Sequence, residues 1–175
     1  MDFRGIIEFF KDISQYIILV VIVLLFFIYV CGFEQVVGPS MQSTLLENDI
    51  VIVNKLLYKI DDVNYNDIVS ISQDEKHMIK RVIGLPGDII KYENNYLYVN
   101  GVKQIEKFLD DDIITEDFSL DQLGYDKIPE DMYLVLGDNR VNSMDSRNFG
   151  LVKKENIIGK AWIRVWPFSK MGILK

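Results

Sequence analysis

The chain reads as an all-β domain, a sandwich or a barrel, behind a single transmembrane helix. Three observations predict this. An uncharged apolar run extends from Tyr16 to Phe33. Beyond it, short β-branched and aromatic segments recur about every ten residues, punctuated by Gly, Asn and Asp. No other stretch repeats apolar residues at the helical period over a useful length.

The first element is the anchor. Tyr16 to Phe33 is 18 residues, or 21 counted from Ile13. At 1.5 Å per residue it rises about 27–31 Å, which matches the roughly 30 Å hydrocarbon core. A cleavable signal sequence has a shorter apolar stretch, about 7–15 residues, and a small-residue cut site. Val30-Cys31-Gly32-Phe33-Glu34 is too bulky for one. A retained helix over 13–33 is therefore expected, with a tail of residues 1–12. Arg4 and Lys11 precede the span, and the 15 residues after Phe33 contain no Lys or Arg. The positive-inside rule then keeps 1–12 in the cytoplasm and places 34–175 outside, at the cell membrane.

Composition narrows the function. The net charge is −7, and only three of the 26 Asp and Glu residues lie ahead of Glu34. An acidic outer domain argues against nucleic acid, which wants a basic face. The sole cysteine, Cys31, permits no internal disulfide. Val30 stands where a lipoprotein would need a small residue, so Cys31 reads as an apolar packing residue. One His and one Cys give no zinc-type ligand set. No metal or organic cofactor is expected.

The strands follow in order. Asp49–Leu57 is β-branched and partly alternating. Asp67–Ser72, His77–Leu85 and Asp88–Tyr92 come next. Tyr96–Val99 ends at Asn100-Gly101, a strong tight-turn signal. Met132–Leu136 and Ile157–Trp166 complete the set. Residues 105–128 are acidic and weakly patterned, and read as a surface excursion.

Three segments could do chemistry. Ser40 lies in Gly38-Pro39-Ser40-Met41, where turn residues cluster. Lys80 lies in a strand, and alternation gives it one face with the apolar Met78 and Val82. An amine held there is partly dehydrated, which disfavours its charge and lowers its pKa from about 10.4 toward 7–8. That range suits a general base at neutral pH. The only histidine, His77, points to the opposite face, so the two cannot both meet Ser40. The third segment, 137–150 (GDNRVNSMDSRNFG), is dense in hydrogen-bonding side chains and bracketed by glycines. Asp145 and Arg147 could pair, and Ser143 or Ser146 could hold a lysine amine.

Together these segments resemble the bacterial type I signal peptidases, the membrane-bound Ser-Lys proteases. The resemblance rests on the anchor, GPSMQSTLLENDIVIVNK (38–55), KRVIGLPGD (80–88) and GDNRVNSMDSRNFG (137–150), in that order. It implies a catalytic core of two antiparallel sheets, Ser40 as nucleophile and Lys80 as general base. Ser143 matches the serine that orients the lysine. Asp145 and Arg147 match a supporting ion pair, and Arg81 a residue that supports the site. Val36, Met41, Leu45, Val51 and Ile79 fall where the family lines its pockets for small side chains. The implied substrates are preproteins bearing signal peptides, with the lipid bilayer and the secretion machinery as partners. Three positions depart from the pattern. Ser43 stands where proline is usual. Gly38 stands where some members carry a serine that helps the oxyanion, so the Ser40 N–H must do more. Val141 replaces a commonly acidic residue.

Other readings make different demands. A self-cleaving repressor needs a DNA-binding domain, and nothing basic or helix-turn-helix-like is present. An ER-type signal peptidase uses histidine as base. A membrane-tethered β-module for binding or assembly explains the anchor and strands but leaves Ser40, Lys80 and Ser143 as coincidence. Replacing His77 separates the bases. His77→Ala should keep precursor cleavage near the native rate, whereas loss of cleavage would transfer the base to the imidazole.

Overall fold

Twenty-eight residues, Phe3–Val30, form one continuous helix, α1. The structure is a computed structural model that describes residues 3–73, 75–110 and 112–174. Apolar side chains from Ile13 to Tyr29 are exposed around the whole helix. A helix apolar on every side and uncovered by protein requires lipid. It ends at Val30, three residues before the expected Phe33. The reason is ladder pairing. Cys31–Gln35 forms β1, antiparallel to β2 (Ile50–Asn54), with Cys31 opposite Asn54. Lys55 N–H donates to the Val30 carbonyl at 2.9 Å and satisfies one of the helix's last acceptors. Residues 31–33 are apolar enough for lipid, but the sheet offers their backbone partners.

The β body follows the predicted strands closely. After β2 the chain makes a single helical turn, α2 (Leu57–Ile60), which begins at the last residue of the segment expected as strand, 49–57. Then come β3 (Ile68–Gln73), β4 (Lys76–Gly84), β5 (Ile90–Glu93), β6 (Tyr96–Val99) and β7 (Val102–Gln104). Further on lie β8 (Phe118–Ser119), β9 (Met132–Leu136), a second helical turn, α3 (Ser146–Phe149), and β10 (Val152–Lys153). The long β11 (Ile157–Trp166) and the short β12 (Gly172–Ile173) close the chain. Two antiparallel sheets result. The larger runs β1-β2-β11-β3-β4-β9-β10, with β12 on β11, and the smaller runs β7-β6-β5-β8.

Alternation sorts the core. In β9, Leu134 and Leu136 face the small sheet with Ile90, Leu97 and Phe118, while Tyr133 and Val135 pack with Val69, Ile71 and Val82. A third cluster, with Val36, Met41, Leu45, Val51, Ile68 and Ile79, lies under the Ser40 turn. The stretch 105–128, expected as a surface excursion, is mostly exposed or half-buried but is anchored at a few points. It contains β8, and Thr115, Phe118, Leu120 and Ile128 are buried.

Gly159 in β11 lies against the backbone at the end of β2. A Cβ there would strike the Asn54 carbonyl and the Lys55 backbone. Backbone cannot yield as a flexible side chain does, so Gly159→Ala should destabilise by about 1–3 kcal/mol. Thermal unfolding would read this as about 2–4 °C per kcal/mol for a chain of this size. An unchanged melting temperature would show that the strands have room to part.

Candidate active site

Ser40 sits on a turn seated by its neighbours. Met41 and Leu45, four residues apart, are both fully buried in the cluster beneath. Gln42 N–H donates to Pro39 O at 3.0 Å and Leu45 N–H to Met41 O at 2.8 Å. Arg164, from β11, donates to the Thr44 carbonyl and to Asp49, whose carboxylate also takes the Leu46 N–H. The Gln42–Ser43 peptide, at the position where the resembled family usually has proline, is cis.

Strand β4 delivers Lys80 to this turn. Lys80 is 2% exposed, and its Nζ donates to Ser40 Oγ at 2.7 Å. Met78 and Val82, on the same face, both pack in one apolar cluster. Burial pushes the ammonium down to about 8, with Arg147 adding to the effect and the Asp145 and Asp138 carboxylates opposing it. Arg81 points the other way and still meets the same turn, with Nη2 donating to Thr44 Oγ1 at 3.2 Å. The turn therefore straddles the edge of β4.

The segment 137–150 closes the site from a third side. Arg81 and Asp138 form a fully buried ion pair, with Nε and Nη2 donating at 2.9 and 2.8 Å. The Thr44 hydroxyl donates to the same carboxylate. Asn139 N–H donates to the Ser40 carbonyl at 3.0 Å. Asp145 accepts from Gly137 N–H at 3.0 Å and from Arg147 Nε and Nη2 at 2.9 and 2.8 Å. Burial alone would raise the Asp145 pKa, but Arg147 and the Gly137 N–H hold it below the usual carboxylate range. Asp145 also caps α3 through a capping box with Asn148. Gly137 permits this closeness, since a Cβ there would meet Ser143 Oγ and the Ser40 carbonyl.

The residues picked from sequence take distinct places. Ser40, Lys80, Val36 and Ile79 line one groove of about 520 Å³, together with Val37, Pro39 and Met144. Met41, Leu45 and Val51 do not reach it. They are fully buried in the layer beneath Val36 and Ile79. Their spacing marked them as inward-facing, but sequence does not say which inward layer a residue occupies. No hydrogen bond joins Ser143 to Lys80. Among the described residues its buried Oγ makes no hydrogen bond, and it lies close enough to Asp145 to help hold that carboxyl's pKa down. Ser146, the other serine considered, instead accepts the Val135 N–H. His77 is on the groove rim, its side chain 60% exposed, with Nδ1 3.5 Å from Glu34. Asp138 and Thr44 were not singled out from sequence. A fully buried arginine requires a carboxylate, and that requirement was the available signal for Asp138.

A serine hydroxyl beside a dehydrated lysine, at a groove on a β body tethered to an apolar helix, is an arrangement that suits a membrane-anchored serine protease. The family model described as signal peptidase, peptidase S26, matches residues 6–166. The chain is 44% identical over 142 residues to signal peptidase I of Bacillus caldolyticus, covering 76% of this chain and 78% of that one. It is 38% identical over 179 residues to signal peptidase I S of Bacillus subtilis, covering 96% and 93%. A crystal structure of a signal peptidase I from Enterococcus faecalis superposes with a TM-score of 0.52 at 35% identity, covering 58% of this chain and 97% of that one. The chain belongs to the S26 signal peptidase family.

With its pKa near 8, Lys80 acting as a base would set a pH profile. The active, neutral amine grows as pH rises through that value and is lost below it. About a tenth is neutral at pH 7 and about a thousandth at pH 5. kcat/KM should therefore fall about tenfold per unit below pH 7. A rate unchanged between pH 8 and pH 5 would exclude Lys80 as the base.

Proposed function

We propose that this chain removes signal peptides from secretory preproteins, with Ser40 as nucleophile and Lys80 as general base. The observation that carries the reading is the 2.7 Å contact between Lys80 Nζ and Ser40 Oγ. Neutral Lys80 takes the hydroxyl proton as Ser40 Oγ attacks the scissile carbonyl. The Ser40 N–H makes no hydrogen bond among the described residues, so it is free to donate to the oxyanion. Losing one such donor costs about 3–4 kcal/mol in comparable sites. Once protonated, Lys80 releases Ser40 Oγ, and Ser143 Oγ is the acceptor we assign to it. Lys80 then protonates the leaving amine, and water frees the acyl-enzyme. Asp138, Arg81, Asp145 and Arg147 hold these groups without touching the reacting atoms.

Strand pairing supports an extended substrate. β4 pairs with β3 from Lys76 to Arg81, and β9 joins its other edge only from Arg81 onward. Among the described residues β1 pairs only with β2. Free edges at 34–37 and 76–80 thus flank the groove, and a peptide backbone can add between them as a strand. Val36 and Ile79 line the groove beside Ser40, where the resemblance places the pockets for small side chains.

The anchor brings the site to its substrates. The helix lies in the cell membrane, with the N-terminus in the cytoplasm and the β body outside. A precursor's own apolar segment enters the same bilayer, beside the secretion machinery that delivers it. Confinement of both partners raises their effective concentration.

Reconstitution in lipid vesicles with a model precursor tests the whole scheme. The native chain should release the signal peptide, and Ser40→Ala and Lys80→Ala should each lose at least about a thousandfold in kcat. Retained cleavage by Ser40→Ala would end the case for this nucleophile.

A further inference from the structure

Behind the loop that carries Ser143 and Asp145 lies a second buried charge pair that the proposed chemistry does not use. Arg140 is 2% exposed. Its guanidinium donates to Tyr92 OH at 2.8 Å, to Thr115 Oγ1 at 3.0 Å and to both carboxylate oxygens of Glu106. Tyr92 OH donates in turn to Glu106 at 2.8 Å. The same arginine governs both ends of the loop. Its Nε donates to the Gly137 carbonyl at 3.1 Å, and its own carbonyl accepts from Arg147 Nη2 at 2.7 Å. Gly137 and Arg147 are the groups that bind Asp145.

Phe108 ties this pair to the other one. The Arg81 guanidinium carbon lies 4.1 Å from the centre of the Phe108 ring, and that of Arg140 lies 6.0 Å from it. Arg81 is the chain neighbour of Lys80. An aromatic face attracts cations, and the attraction grows when water is excluded. Two buried guanidiniums, each with its own carboxylate, therefore share one ring.

We propose that Glu106, Phe108 and Thr115 are positioning residues that strap the catalytic loop and strand β4 into register from outside the groove. The proposal rests on the Ser40–Lys80 reading and adds a dependence that reading does not contain. Removing the Glu106 charge leaves Arg140 buried without its counter-ion, which is strongly unfavourable. Arg140 must then move, and Gly137 and Arg147 move with it. None of the three proposed residues lines the groove. Substrate binding should be spared while the reacting groups lose alignment, and small misplacements of this kind cost up to about a hundredfold in rate.

The test uses the full chain in lipid vesicles and a precursor peptide, with kcat and KM measured separately. Glu106→Gln and Phe108→Leu should lower kcat by about 10–100-fold and leave KM within about twofold of native. Phe108→Tyr, which keeps the ring face, should restore most of the rate. Val99→Ala, in the same small sheet, controls for lost stability. It should lower the melting temperature and keep kcat at temperatures where the protein stays folded. The strap is overturned if Glu106→Gln and Phe108→Leu retain native kcat, if Phe108→Tyr is as slow as Phe108→Leu, or if kcat merely follows the melting temperature through the set, Val99→Ala included. If the native chain itself fails to cleave, the Ser40–Lys80 reading falls and takes the strap with it. If the native chain cleaves and the variants match it, the strap alone falls.

Discussion

The site depends on keeping one amine dry beside one hydroxyl. Lys80 is almost fully buried, yet its Nζ reaches Ser40 Oγ. Water would charge that amine and remove its lone pair. Protein must therefore surround it, but the surroundings must not supply a close carboxylate partner that would also charge it. Asp145 and Asp138 are near enough to favour the ammonium. Each is already engaged by an arginine, Asp145 by Arg147 and Asp138 by Arg81. The two ion pairs support the turn and loop, and Arg147 offsets part of the carboxylates' pull toward the ammonium, while burial outweighs the rest.

Such pairs are poor evidence for stability. Desolvation offsets much of the attraction, and well-packed apolar residues often serve as well. What they give here is placement. Arg81–Asp138 joins β4 to the start of the loop, and Thr44 ties the Ser40 turn to the same carboxylate. Asp145–Arg147 folds the loop back on Gly137. Three segments far apart in sequence thus meet through groups that are costly to leave unpaired. A misplaced turn exposes a buried charge, so the penalty for error is steep and the geometry narrow.

What the sequence made legible follows from the range of each signal. Strands β6, β9 and β11 were readable to the residue, because apolar alternation and Asn100-Gly101 are local. Two-residue strands such as β8 and β10 were not, since only a distant partner defines them. The end of α1 was misplaced because Cys31-Gly32-Phe33 suits lipid as well as a ladder. Glu106 and Thr115 looked like surface residues for the same reason. Their partner Arg140 is 34 and 25 residues away, and no periodicity links them. In the site, Ser40 and Lys80 stood out by their neighbours, while Asp138 stood in plain view beside Gly137 without a spacing that announced its role.

The short helix end joins the anchor to the chemistry. With α1 ending at Val30, Ser40 lies ten residues on, and five of those are the extended β1. At about 3.3–3.6 Å per residue, Ser40 can stand no more than roughly 35 Å from the helix end. β1 therefore does two things at once. It carries the chain from the bilayer to Ser40, and its unpaired edge continues into one wall of the groove. A peptide lying along that wall points one end back toward the membrane. On the function proposed above, a substrate whose apolar segment is held in the bilayer would reach Ser40 by running alongside β1. On that proposal, membrane anchoring and strand addition are parts of one geometric device, because the strand that measures the distance to the bilayer is also the strand a substrate would pair with.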